Sequence, residues 1–370
     1  MAQTRQKSID LCSFGKGPDL KNLPRIAYLL DPGFPGGTSG AVAAEMAAIA
    51  SIAKLEVHAV SSAMFGSKTV APQIRKILSK LGLDLIWDAP VVSGDVVLLH
   101  NPSFLKFHRE LNQKIIANHL IVIAHENFLR PGGFESFDVG HCLDLIDRCS
   151  LTLQKSIAPI SPINRLGVQQ WLSANSGTGH WAVVEQDWFN ICEFEILPPT
   201  KSPKDKRGRH SRAGPEKFPL LVDMDQCFSK SAQSNVILGA DLFLKEKLDR
   251  KHWNMLPFGA LDVARYFEMI DFMVYFTAPT WRESFGRVLA EAIAAGKIVI
   301  SDPDTASVFN DAIIPARPAD VDGIIANFVK NPDLYQDQVI RAQKNLTAFS
   351  ASAFRQVFKS LINTNVRRAA

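Results

Sequence analysis

Short apolar runs alternate with stretches of helical spacing along most of this chain, and they do so in two sets. In the first set, runs at 25–30, 55–60, 95–100, 119–124 and 150–153 are separated by segments such as 41–53, 73–81 and 164–173. In those segments the apolar residues recur every three or four positions, the period of a helix buried on one side. The second set has runs at 236–238, 253–258, 272–276 and 298–300, interleaved with helical patterns at 262–270, 286–295 and 320–330. Runs without a polar alternate suit strands covered on both faces, as in a parallel sheet flanked by helices. The expectation is an α/β chain of two Rossmann-like doubly wound domains facing a central cleft. A Pro- and charge-rich interval at 197–207 divides the sets. The expected organisation is therefore an extension at 1–23, a first domain at 24–196, a hinge at 197–207, a second domain at 208–345 and a C-terminal helix at 346–370 packing back toward the first domain.

Composition bounds the functions such a chain can have. With 370 residues, 46% hydrophobic and 21% charged, it can build two cores and is neither disordered nor fibrous. No run approaches the ~18 apolar residues of a membrane span, because Glu45, Glu291 and Lys297 interrupt the best candidates. Cys12, Cys142, Cys149, Cys192 and Cys227 are scattered without a Cys-x-x-Cys pair, which points to a reduced, cytoplasmic setting. Residues 1–23 mix charge with Gly and Pro and lack the apolar stretch of a secretory leader. The net charge of +4 is gathered late, where Lys201, Lys204, Lys206, Arg207, Arg209, Arg212 and Lys217 face only Asp205 and Glu216. That run contains no aromatic residue before Phe218 to stack a base, so nucleic acid is not the expected partner and a phosphate-bearing small molecule is. Lys106, Arg109 and Lys114, read as a helical stretch with Phe104 and Leu105, offer a weak peripheral membrane contact that Glu110 dilutes.

The chemistry is densest in PTWRESFGRVLAEAIAAGKIVISD, residues 279–302. A strand ends, a short loop carries Glu283, and a helix starts near Gly286 and closes at Gly296. The unpaired amides at such a helix start, around Phe285, Gly286, Arg287 and Val288, favour an anion. Glu291 lies eight residues beyond Glu283, about two turns along and near the same face, where a carboxylate can accept two ribose hydroxyls. The bland alternative is a dipole-complementing Glu283 and a solvated Glu291. A second segment, GRHSRAGPEKFP at 208–219, sets Arg212 and Lys217 with four residues between them. Fixed cations of this kind lower the barrier to expelling a diphosphate.

These two segments resemble the GT-B glycosyltransferases of the family-4 type, retaining enzymes marked by two glutamates with seven residues between them around Phe-Gly, with an Ala-Gly helix end. Here the matching residues are ESFGRVLAE and AIAAGKIVI. The resemblance implies that Arg212 and Lys217 neutralise the donor diphosphate, with Arg209 as the competing guanidinium because a family Gly-Arg pair also aligns on Gly208-Arg209. It implies that Glu283 orients the donor sugar and Glu291 the ribose. It likens Gly36 and Gly37, in the loop DPGFPGGTSG, to a phosphate-approaching loop, although Thr38 and Ser39 read equally well as a helix cap. It puts His125, in IVIAHENFL, at the junction of donor sugar and acceptor, with His100 after an earlier strand. The charged residues 204–207 depart from the apolar strand the family has before its Arg/Lys motif.

The implied activity is a retaining, metal-independent transfer from a UDP- or GDP-sugar to a glycan or glycolipid acceptor. No cofactor is implied. Asp223 and Asp225, an Asp-x-Asp pair of the sort that holds a divalent metal elsewhere, sit where the family has only a surface helix, so no metal ligand is assigned. Rival readings on the same architecture are a sugar-nucleotide epimerase or phosphorylase, and a non-catalytic nucleotide-sugar-binding partner.

Overall fold

A computed structural model of the chain describes residues 23–34, 36–62, 64, 68–177 and 180–369, with the side chains of 363–369 excepted. The extension at 1–23, apart from Leu23, and Cys12 within it therefore lie outside the described residues. The first domain places strands β1 (Arg25–Leu30), β2 (Lys54–Ala59), β3 (Leu85–Trp87), β4 (Val91–His100), β5 (Lys114–Ala124), β6 (Ser150–Pro159) and β7 (Ala182–Val183) in one parallel sheet of order β3-β2-β1-β4-β5-β6-β7. Its helices are α1 (Gly37–Ile49), α2 (Pro72–Leu81), α3 (Val139–Cys149) and α4 (Pro162–Ala174). In β1, RIAYLL, every residue after Arg25 is buried, as a strand covered on both faces requires.

The second domain repeats the plan. Strands β8 (Lys206–His210), β9 (Ser234–Leu238), β10 (Asn254–Leu256), β11 (Phe272–Tyr275), β12 (Ile298–Ser301) and β13 (Ile313–Pro315) run parallel in the order β10-β9-β8-β11-β12-β13. Helices α5 (Leu221–Cys227), α6 (Asp241–Lys245), α7 (Val263–Glu268), α8 (Arg287–Ala294), α9 (Pro303–Ser307), α10 (Val321–Lys330) and α11 (Pro332–Asn345) accompany them, and α12 (Ala351–Ala369) ends the chain. Counted within each domain, both sheets follow the order third, second, first, fourth, fifth, sixth. Each therefore has one point where the winding reverses: between β1 and β4 in the first sheet, and between β8 and β11 in the second. Loops leaving the carboxyl ends of strands at that point diverge and leave a crevice.

Two expectations need correcting. Residues 206 and 207, read as hinge, open strand β8, so the charged segment is itself the strand that seemed missing. Arg207 tolerates burial at 1% exposure because Asp205 (2.7 Å) and Asp322 (2.6 Å) neutralise it. The proposed membrane-facing helix does not form either. Residues Pro102–Phe107 make a 3-10 turn in which Phe104 and Leu105 are fully buried, and Lys114 starts β5. Phe104 and Leu105 thus face the core and cannot form the apolar side of a membrane-facing helix. No helix among the described residues is long and apolar enough to cross a membrane.

The domains are joined twice. Beyond Trp188 the chain crosses to the second domain, and Leu197 N–H donates to the Ala294 carbonyl at the end of α8 (2.8 Å). It returns through α12, where Phe354 and Phe358 pack edge-on against Trp188 at 5.0 and 6.1 Å and Arg355 donates to the Ala48 carbonyl. One apolar cluster consequently runs from β1 and α1 through Trp188, Phe349 and Phe354 to α8, while each sheet keeps a separate cluster on its other face.

Candidate functional site

Glu283 and Lys217 meet. Lys217 follows β8 and Glu283 follows β11, the two strands flanking the reversal point of the second sheet, and their side chains pair at 2.7 Å. Side-chain exposure is only 10% for Lys217 and 15% for Glu283, so each charge depends on the other. The Tyr275 hydroxyl, at the last residue of β11, donates to the same Glu283 oxygen at 2.8 Å. Burial alone would raise the Glu283 carboxyl, but the Lys217 ammonium and these hydrogen bonds outweigh it and hold the pKa below the usual value. Lys217 also lies 5.3 Å from the Trp281 ring.

The helix that follows is built to leave its start open. Gly286, the N-cap of α8, takes a left-handed conformation (φ 85°), and no side chain caps the first turn. Phe285 is buried against Phe309 and Phe349, which anchors the loop and fixes where the amides of Gly286, Arg287 and Val288 lie. Glu291 is about one quarter exposed, with Arg287 3.5 Å away. Burial raises its pKa, and Arg287 only partly counters that. Arg287 is held in turn by the Ile191 carbonyl (2.9 Å) and the Phe194 ring (4.8 Å).

The two candidate guanidiniums stand in different places. Arg209 is fully buried in β8, between the rings of Phe218 (4.7 Å) and Tyr275 (4.5 Å), so it stands behind the site rather than at its surface. Arg212 is more than half exposed and pairs with Glu216 at 2.7 Å. Of the two, only Arg212 is open to solvent. Asp225, in α5, is gripped by Arg250 through two contacts of 2.7 and 2.9 Å.

From the first domain, α1 begins at the reversal point between β1 and β4. Gly36 is its N-cap with φ 78°, and added Cβ atoms at Gly36 or Gly37 would meet nothing within 4 Å. Thr38 and Ser39 do not cap this helix, and Ser39 instead donates to the Phe34 carbonyl. Gly40 lies near Arg287, with an added Cβ 3.9 Å from its Nε, so the starts of α1 and α8 approach each other. Asn127 Nδ2 donates to the Arg282 carbonyl (3.0 Å) and Ser161 Oγ to the Ser284 carbonyl (2.6 Å), clamping the Glu283 loop from both sides. His125, at the end of β5, sits two residues before Asn127, and its Nε2 is 3.0 Å from His100 Nδ1. Next to Asn127 a hollow opens, lined also by Arg130, Gly132, Gln170 and Arg282. Tyr275, Asn127 and Ser161 were not singled out from sequence. Tyr275 lies at the carboxyl end of a strand beside the motif, but the other two carried no pattern.

No protein-family model and no curated protein matches the sequence. Solved structures do match in three dimensions. HepE of Anabaena, solved with UDP and glucose, aligns with 92% of this chain and 100% of its own at a TM-score of 0.62 and 15% identity. An α-glucosyltransferase solved with UDP aligns with 93% of this chain and 100% of its own at 0.57 and 11%. A complex of α-glucosyltransferase with UDP and a 13-mer DNA containing an HMU base covers the same shares at 0.53 and 13%. The architecture is GT-B. In this GT-B chain the segments that leave the two reversal points approach each other, and the sequence-predicted residues Gly36, Gly37, Arg212, Lys217 and Glu283 lie on those segments.

Proposed function

We propose that the chain is a retaining glycosyltransferase that works without a metal ion, using a nucleotide-sugar, in the first instance a UDP-sugar, and a glycan or glycolipid acceptor. The observation that carries this reading is the buried Lys217–Glu283 pair beside the uncapped start of α8. The UDP and UDP-glucose complexes among proteins of similar fold support the choice of nucleotide. In this reading the diphosphate lies between the amides at the start of α8 and those of Gly36 and Gly37. Lys217 and Arg212 offset the charge that builds on the leaving oxygen as the glycosidic bond breaks. Glu283, ionised and fixed by Lys217 and Tyr275, accepts hydroxyls of the sugar, and Glu291 accepts those of the ribose. The acceptor approaches through the hollow lined by Arg130 and Gln170.

The test is a thermal-shift screen of UDP- and GDP-sugars, followed by product analysis. A bound donor at 100 times its Kd stabilises by about 2.7 kcal/mol, a readily measured shift. Lys217→Ala is expected to lower turnover by about two to three orders of magnitude, with the anomeric configuration of the wild-type product retained and rates unchanged by a chelator. Wild-type turnover in Lys217→Ala would defeat the assignment.

A further inference from the structure

The first domain buries an acid that the site described so far does not use. Glu45 is 4% exposed in the middle of α1, an otherwise apolar helix. Its Oε2 accepts the Trp188 indole N–H at 2.7 Å. Its Oε1 stands 3.5 Å from His100 Nε2, an atom otherwise without a hydrogen-bond partner, and the buried Tyr28 hydroxyl shares the same carboxylate. His100 is 2% exposed and stacked on Tyr28 with centroids 5.4 Å apart, so its ring cannot turn away. Through its other nitrogen, Nδ1, it meets His125 Nε2 at 3.0 Å. His125 retains an exposed edge, and its Nδ1 has no partner among the described residues.

With a carboxylate at Glu45 and both imidazoles neutral, one proton arrangement satisfies the whole chain. A carboxylate at Glu45 accepts only, so His100 carries its proton on Nε2. His100 Nδ1 is then an acceptor, His125 must carry its proton on Nε2, and the remaining Nδ1 of His125 presents a lone pair. We infer that Glu45 and His100 are positioning residues that fix His125 as the Nε2–H tautomer, so that it accepts a hydrogen bond from a sugar hydroxyl in the cleft. The inference rests on the glycosyltransferase reading for the hydroxyl, but not for the tautomer. Burial pushes the His125 pKa well below its ordinary value, which keeps the ring neutral.

Glu45→Gln makes this testable. Trp188 still donates to the amide oxygen, so the amide NH2 turns toward His100 Nε2 and demands an acceptor there. The His100 proton moves to Nδ1, it donates to His125 Nε2, and His125 is left as the Nδ1–H tautomer, a donor toward the cleft. Long-range 1H–15N correlation on the full-length protein with 15N-labelled histidine reads both tautomers directly. The expected result is Nε2–H for His125 in the wild type and Nδ1–H in Glu45→Gln. Nδ1–H in the wild type, which needs no variant to fold, overturns the inference. With UDP-glucose as donor, Glu45→Gln should retain UDP affinity within about twofold and lose ~100-fold in turnover, as a misoriented tautomer does. His125→Ala should lose as much, and adding Glu45→Gln to it should cost nothing further. Additive losses would show that Glu45 acts otherwise. Failure to bind UDP, with the tautomers as expected, would count against the glycosyltransferase reading alone.

Discussion

Replacing Lys217 by Met should make the second domain's stability depend on pH in a way the wild type does not. The pair is buried, 10% and 15% exposed at 2.7 Å, and removing one member of such a pair costs about 3–5 kcal/mol. Tyr275 still donates to the carboxylate, which puts the expectation near ~3 kcal/mol at neutral pH. In the wild type the folded pKa of Glu283 lies below its unfolded value. Its contribution is therefore present above pH ~4.3 and lost only as pH falls through the folded value. Without Lys217, burial dominates and raises the folded pKa above ~4.3, so the carboxyl takes up a proton on acidification and the penalty shrinks. Calorimetry should show Lys217→Met melting roughly 6–12 °C below wild type at about pH 7.5 and the gap narrowing toward about pH 5. Adding Glu283→Gln should recover most of the loss without recovering activity. A gap that stays constant with pH, or a double variant no more stable than the single, would refute the reasoning.

Further outcomes follow from other parts of the chain. Gly296→Ala should destabilise by about 1–3 kcal/mol in urea titration, because Gly296 has φ 75° and a Cβ there would sit 2.8 Å from the Pro198 carbonyl oxygen. A loss under ~0.5 kcal/mol would mean that the crossing segment yields easily. His119, 4% exposed and 2.8 Å from Ser156 Oγ, has its pKa lowered by burial to about 4. The unfolded chain binds that proton near pH ~6.5 and the folded chain does not. Stability should therefore fall by up to about 3 kcal/mol as pH drops from ~6.5 to ~4, a slope that His119→Gln should flatten.

The alternating runs were enough to read two doubly wound sheets because strands such as β1, β11 and β12 are buried on both faces and show it as unbroken apolar sequence. Strand β8 escaped for the opposite reason. Its sequence is KRGRH, and its burial rests on Asp205, Asp322, Phe218 and Tyr275, partners that are distant in sequence or too short-range to form a period. Arg209, the competing guanidinium of the sequence reading, belongs to the same strand and lies between two rings. Glu283 and Lys217 were legible as separate motifs, yet 66 positions apart nothing announced that they pair. Phe104 and Leu105 show the limit of local reading, since a short apolar-basic segment looks alike whether it lies on a membrane or plugs a sheet. Glu45 was visible only as an interruption in an apolar helix.

The return of α12 to the first domain has a consequence for how the protein is made. Trp188 completes its packing against Phe354 and Phe358, and α1 receives Arg355, all from the last 20 or so residues. During synthesis the first half leaves the ribosome early but cannot finish its core until the whole second half has followed. Its unfinished surface must wait, exposed, for α12, and domains that generally fold in order of emergence are here tied to a single late event.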